Sequence, residues 1–138
     1  MIVEEHGETG WDWAPGARAT ILKAMTRTII AGGRDLPEDM TFWPALDDAR
    51  AVLGITEVVC GGARGGDTIG RLWAEDHGIP VKMFPADWSK HGRAAGPIRN
   101  QQMAEYADAL VALPGGKGTA DMIQRAQRRG MKVIEVKR

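Results

Sequence analysis

Glu57-Val58-Val59-Cys60-Gly61-Gly62-Ala63-Arg64-Gly65-Gly66-Asp67 is the stretch that decides the fold. A short apolar run ends in paired glycines, and Ile69, Leu72 and Trp73 then recur on one helical face. That order reads as strand, tight turn, helix. The same unit recurs along the chain. Further apolar runs stand at Thr28–Ala31, Val81–Phe84, Ala109–Leu113 and Lys132–Val136, each suited to a buried parallel strand. Helix-length segments separate them. Leu46, Ala49 and Leu53 share a face in the first, and Gly96-Pro97 opens the third. The fourth turns Met122, Ile123 and Ala126 inward, with Arg125, Arg128 and Arg129 outward. Gly54, Gly78 and Gly130 follow helices at the positions where a left-handed cap is expected. Strand-helix alternation predicts an α/β fold, a doubly wound parallel sheet of about five strands with helices on both faces. Its simplest order is 3-2-1-4-5, which puts the ligand-binding switch point between the first and fourth strands.

The chain of 138 residues, 43% hydrophobic, suffices for one domain with a real core. Residues 26–138 form that domain, and residues 1–25 stand apart as an acidic, tryptophan-bearing extension or arm. Eighteen basic against eighteen acidic residues give zero net charge, which argues against a nucleic-acid coat. No apolar run approaches the ~18 residues of a membrane span, and the opening Met-Ile-Val-Glu-Glu-His does not read as a secretory signal. One cysteine, Cys60, allows no internal disulfide, and three scattered histidines make no metal cluster. The expectation is a soluble protein of a reducing compartment, the cytoplasm, with no metal and no cofactor.

Glycine and arginine are the two conspicuous biases, with 18 glycines and twice as many arginines as lysines. Both concentrate after the strands. The first strand leads into Gly32-Gly33-Arg34-Asp35 and the second into Gly61–Asp67, with Gly62, Arg64, Gly65 and Gly66. The third leads through Asp87-Trp88, Lys90 and Arg93 to Arg99-Asn100, and the fourth into Pro114-Gly115-Gly116-Lys117-Gly118-Thr119. All four loops leave carboxyl ends of strands and so share one edge of the sheet. Paired glycines before a helix turn backbone N–H groups outward, and the helix start adds partial positive charge, so the fitting partner is an anion such as phosphate. Tight turns need glycine without any ligand too. Arg99 stands in the first turn of a helix, against the macrodipole, and so calls for a negative partner, either a ligand or Asp67 or Asp87. Asp67 and Asp121 at helix starts fit capping, or a hydrogen bond to ribose, or stabilisation of an oxocarbenium ion. Trp88 either stacks on a base or packs against its own loop.

Gly-Gly-Arg-Asp at 32–35, Gly-Gly-Ala-Arg-Gly-Gly-Asp at 61–67, Ala-Gly-Pro-Ile-Arg-Asn at 95–100 and Pro-Gly-Gly-Lys-Gly-Thr at 114–119 resemble the YspA-like, cpYpsA-related branch of the SLOG superfamily. The resemblance spans about residues 26–137. It implies a Rossmann-like fold that binds nucleotides or nucleotide-derived ligands, often as a dimer. The superfamily includes the LOG enzymes, which cleave the N-glycosidic bond of nucleoside monophosphates, and their signature is similar to the fourth motif but continues into two adjacent acids. Here Asp121 stands for the first and Met122 replaces the second. Arg99 corresponds to the LOG arginine.

Two readings follow. In the first, the chain is a sensor or binding module for a phosphorylated, nucleotide-derived ligand, its phosphate on Gly115–Thr119 with help from Arg99 and Arg64. In the second it hydrolyses the N-glycosidic bond of a nucleoside monophosphate, with Asp67 or Asp121 as the catalytic residue that stabilises the ribosyl cation. The expected partners are that small molecule and further copies of the chain. A third reading, handling of single-stranded DNA as in the related DprA proteins, is disfavoured by the zero net charge.

Overall fold

The structure, a computed structural model, describes residues 26–137 in full and residues 2–6 as a strand. Its strands are β1 (Ile2–His6), β2 (Thr26–Ala31), β3 (Ile55–Cys60), β4 (Val81–Met83), β5 (Ala109–Ala112) and β6 (Lys132–Lys137). Its helices are α1 (Trp43–Leu53), α2 (Gly66–Asp76), the single turn α3 (Trp88–His91), α4 (Ala95–Tyr106) and α5 (Lys117–Arg128). All five apolar runs are strands. They are parallel to one another, in the spatial order β6-β5-β2-β3-β4, which is 3-2-1-4-5 counted from β2. The sheet is thus the Rossmann-like α/β arrangement read from the sequence.

A sixth strand extends it. β1 runs antiparallel along β6, with Ile2 opposite Lys137 and His6 opposite Val133. The sequence places this strand inside the N-terminal extension, and pairing with β6 is what makes it a strand. Without it the N–H and C=O groups on that side of β6 would form an open sheet edge. The remainder of the extension lies outside the described residues.

Alternation along each strand sends neighbouring side chains to opposite faces. Ile30, Val58, Val111 and Ile134 pack under α1 and α2 with Leu46, Leu53, Ile69 and Trp73. Ile29, Val59, Leu110 and Val133 pack under α4 and α5 with Met103, Ala104, Met122 and Ala126. Gly54, Gly78 and Gly130 take φ values of 67°, 67° and 70°, the left-handed caps expected of them. Two local expectations change. The segment before Gly96-Pro97 is α3 and a 3-10 turn, Gly92–Ala94, and α4 already begins at Ala95. Arg125 does not point outward: its guanidinium lies between α4 and α5, donating to Asp121 and to Gln101. Burying the stem while satisfying the charged head outweighs full hydration there. Among the described residues no helix is long and apolar enough to cross a membrane.

Candidate functional site

β2 and β5 are neighbours, but the chain leaves β2 towards α1 on one face and leaves β5 towards α5 on the other. The divergence opens a crevice at the carboxyl edge, the switch point of the sheet. It is a cleft of about 710 Å³. Gly32, Gly33 and Pro114 line it at the strand ends, and Gly115, Gly116, Lys117, Gly118 and Thr119 line the α5 side. Asp67 faces it from α2, Arg99 and Asn100 from α4, and Asp121 from α5. Arg34 and Asp35 stand at its mouth, both exposed. Apolar contact comes from Leu36, Met103 and Met122.

The first, second and fourth loops are bound to one another by backbone. Gly33 N donates to Pro114 O at 2.8 Å, and Gly66 N donates to Gly33 O at 3.1 Å. A Cβ on Gly66 would overlap the backbone of Gly32, and one on Gly33 would stand 3.1 Å from Gly115 Cα. These glycines let three chain segments touch. Gly65, at φ +71°, turns the chain into α2, and its N–H is taken by Glu38 Oε2 at 2.7 Å. Asp67 Oδ2 accepts from Ala63 N at 3.0 Å. The N–H groups of Gly65 and Gly66, where α2 begins, are therefore taken from within the protein. Gly65 and Gly66 are buried and lie behind the cleft wall, not on it. Gly62 and Arg64 are exposed and lie off the cleft, as do Lys90 and Arg93.

The other two helix starts differ. Like α2, neither α4 nor α5 has a side-chain N-cap, but unlike α2 neither carries an acidic residue in its first turn. α4 continues directly from the 3-10 turn, with Ala95 N donating to Gly92 O and Pro97 lacking an N–H, whereas α5 opens on the cleft with its partial positive charge uncompensated by a carboxylate at that turn. Arg99 is held from behind: its Nη1 donates to Gly61 O at 2.7 Å and its Nε to Asn100 Oδ1 at 3.1 Å. These anchors leave three of the five guanidinium N–H groups for other partners. Among the described residues it forms no ion pair, with Asp67, Asp87 or any other acid.

Asn100, itself buried, continues the chain of bonds and donates from Nδ2 to Asp121 Oδ2 at 2.9 Å and to Gly118 O at 3.3 Å. Arg125 Nε meets the same Asp121 oxygen at 2.8 Å. The two carboxylates consequently differ. For Asp121, partial burial works upward, but the bonds from Arg125 and Asn100 outweigh it and hold its pKa below the ordinary value. For Asp67, burial dominates and raises its pKa despite the Ala63 N–H and the positive charge of Arg99. Asp121 is engaged in holding α4 to α5, and Asp67 is the carboxylate whose pKa burial pushes upward. Cys60 is fully buried beside Met83, and burial pushes its thiol up to about 11, so it is a core residue. Among the described residues no group of three or more His, Cys, Asp or Glu is placed to hold a metal ion.

Glu38, Gln101 and Arg125 were not legible as members of this assembly. Glu38 reaches Gly65 across 27 positions and Arg125 reaches Gln101 across 24, and no local spacing signals either contact.

The model of the YspA, cpYpsA-related SLOG family matches residues 26–91, from β2 through α3. The chain is also 38% identical over 120 residues to the Gene 61 protein of Mycobacterium phage D29, an overlap covering 80% of this chain and 95% of that protein. The chain belongs to the YspA, cpYpsA-related SLOG family. No solved structure gives a significant match. In this SLOG chain the matched segment carries the first two glycine loops, while Arg99 and the Gly115–Thr119 loop follow it in sequence and join it only across the cleft. Met122, next to Asp121, is buried among the α4–α5 core residues and borders the cleft without offering a carboxylate.

Proposed function

We propose that the cleft binds a phosphorylated, nucleotide-derived small molecule and that the chain acts as a binding or sensing module. The observation that carries this reading is the contrast between the helix starts. At the start of α2 the N–H groups of Gly65 and Gly66 are taken by Glu38 and Gly33 O, whereas α5 opens on the cleft with no side-chain cap and no first-turn acid, in a cleft shared with an Arg99 that is anchored from behind and, among the described residues, has no ion-pair partner. Backbone N–H groups, a guanidinium fork and Lys117 together suit a phosphate. Asp35 and Asp67, also on the cleft, suit ribose hydroxyls. Membership of the SLOG family is compatible with a ligand of this kind. A cytoplasmic setting and self-association are part of the same proposal.

The second reading, hydrolysis of a nucleotide N-glycosidic bond, draws support from Asp67 alone, a buried cleft carboxyl with a raised pKa. Thermal unfolding with nucleoside monophosphates, each beside its nucleoside, tests the first reading. A ligand at a hundred times its dissociation constant adds about 2.7 kcal/mol, a midpoint shift of several degrees. Shifts confined to phosphorylated compounds are expected; none with any of them would refute the proposal. Release of free base, lost in Asp67→Asn, would establish the second reading in place of simple binding.

A further inference from the structure

Among the described residues four large apolar side chains are conspicuously exposed: Met40, Val52, Met83 and Trp88. Of these only Trp88 lines the cleft, and it is the cleft's one aromatic side chain among the described residues. Half of its surface is open to solvent. The contrast with Trp73, fully buried with its Nε1 bonded to Asp47, is direct. An indole left half in water forgoes much of the stabilisation its burial would bring.

The ring is nevertheless well placed. Asp87 Oδ1 accepts from Ser89 Oγ at 2.8 Å and from Lys90 N at 3.1 Å, which closes the turn of α3 around Trp88. The far end of the indole reaches the first turn of α4, where a Cβ on Gly96 would stand 3.4 Å from Trp88 Cη2. A flat aromatic surface thus stands at the start of the same helix that carries Arg99. Anion donors and an aromatic plate share one cleft.

We infer that Trp88 is the stacking platform for a heteroaromatic base, so that the ligand is an intact nucleotide and not a phosphorylated sugar. This rests on the phosphate reading of the cleft and adds the base to it. Base–aromatic stacking contributes a factor of roughly ten or more in affinity. It depends on a π face and not on a particular hydrogen bond, so Phe retains most of it and Ala retains none.

The test compares the binding of AMP, GMP, CMP and UMP with that of ribose 5-phosphate by titration calorimetry, in the wild-type chain, Trp88→Ala and Trp88→Phe. The wild type is expected to bind at least one of the four nucleotides about tenfold or more tightly than ribose 5-phosphate. Trp88→Ala should collapse that ratio towards one while leaving ribose 5-phosphate binding unchanged, and Trp88→Phe should preserve most of it. Equal losses for both probes in Trp88→Ala, or an unchanged ratio, overturn the inference and leave Trp88 as a packing residue of the rim. Wild-type protein that binds ribose 5-phosphate as well as any nucleotide overturns the inference alone. Binding of none of the five probes removes the phosphate reading and this inference with it.

Discussion

Replacing Asn100 by Asp tests the polar chain that holds the site together. Asn100 Nδ2 lies 2.9 Å from Asp121 Oδ2, so the substitution sets two carboxylates about 3 Å apart in a largely buried place. At an effective dielectric of about 20 their repulsion is roughly 6 kcal/mol. Giving one carboxyl of ordinary pKa a proton at pH 7 costs less, about 4 kcal/mol. The pair therefore takes up a proton, which caps the loss at about 4 kcal/mol at pH 7, with Arg99 and Arg125 reducing it further. The sign follows. Folded variant protein binds a proton that the unfolded chain does not, so its stability falls as pH rises through neutrality and recovers by about 1.4 kcal/mol per unit as pH falls. Urea unfolding at pH 7.5, 6 and 5 reads this out. With m of about 1–3 kcal/mol/M, a loss of up to about 4 kcal/mol lowers the midpoint by at most about 1–4 M near pH 7, and the midpoint should approach the wild type at pH 5. Pairing it with Asp121→Asn exchanges donor and acceptor and should restore most of the loss. A pH-independent offset, or none, would refute the assignment of the Asn100–Asp121 bond.

Arg99→Ala should weaken phosphorylated ligands about 10- to 100-fold, as for loss of one or two charge-assisted bonds, and leave the matching nucleosides nearly untouched; equal losses in parallel titrations would remove Arg99 from the phosphate subsite. Gly66→Ala should destabilise by at least about 2 kcal/mol, because its Cβ meets the Gly32 backbone. Gly118→Ala, with nothing within 4 Å of its Cβ, should hold or raise the thermal midpoint by a few degrees. Calorimetry of the two variants side by side decides that contrast. Asp67→Asn keeps an acceptor for Ala63 N and removes the burial cost of the charge, so it should unfold no earlier than wild type at pH 7. Because the folded pKa of Asp67 is raised, the wild type should recover relative to that variant as pH falls through that pKa, and a gap that widens towards acid would contradict it. Asp121 acts in the opposite sense. Its depressed pKa contributes stability above the unfolded carboxylate value that is lost as pH falls through the folded one, so Asp121→Asn should flatten the acid limb of the wild-type stability curve.

The fold and the position of the cleft were legible along the chain because both depend on local patterns. Apolar runs such as Val58–Cys60 and Leu110–Ala112, separated by helical periods and left-handed glycines, specify βα units, and right-handed crossovers then leave few strand orders. That the four loops share one edge was legible, since every loop that leaves a carboxyl end of a parallel strand reaches it, but Gly62, Arg64, Gly65 and Gly66 on that edge lie off the cleft. What each residue does there was not. Gly65 and Gly66 look in sequence like Gly115 and Gly116, yet the former are buried against Gly32 and Gly33 while the latter line the cleft. Glu38 capping Gly65, Arg125 turned inward to Gln101, and the different environments of Asp67 and Asp121 depend on contacts between distant segments. The sequence by itself determined the five parallel strands, their order and the shared edge, because hydrophobic period and turn chemistry act over a few residues, whereas β1 is a strand only through its pairing with β6. Only the tertiary structure decided which helix starts are held by other segments and which open on the cleft, and that Arg99 is anchored on Gly61 and Asn100 while, among the described residues, no acid pairs with it. Those properties belong to pairs of groups that folding brings within about 3 Å, where hydrogen bonding and burial fix charge.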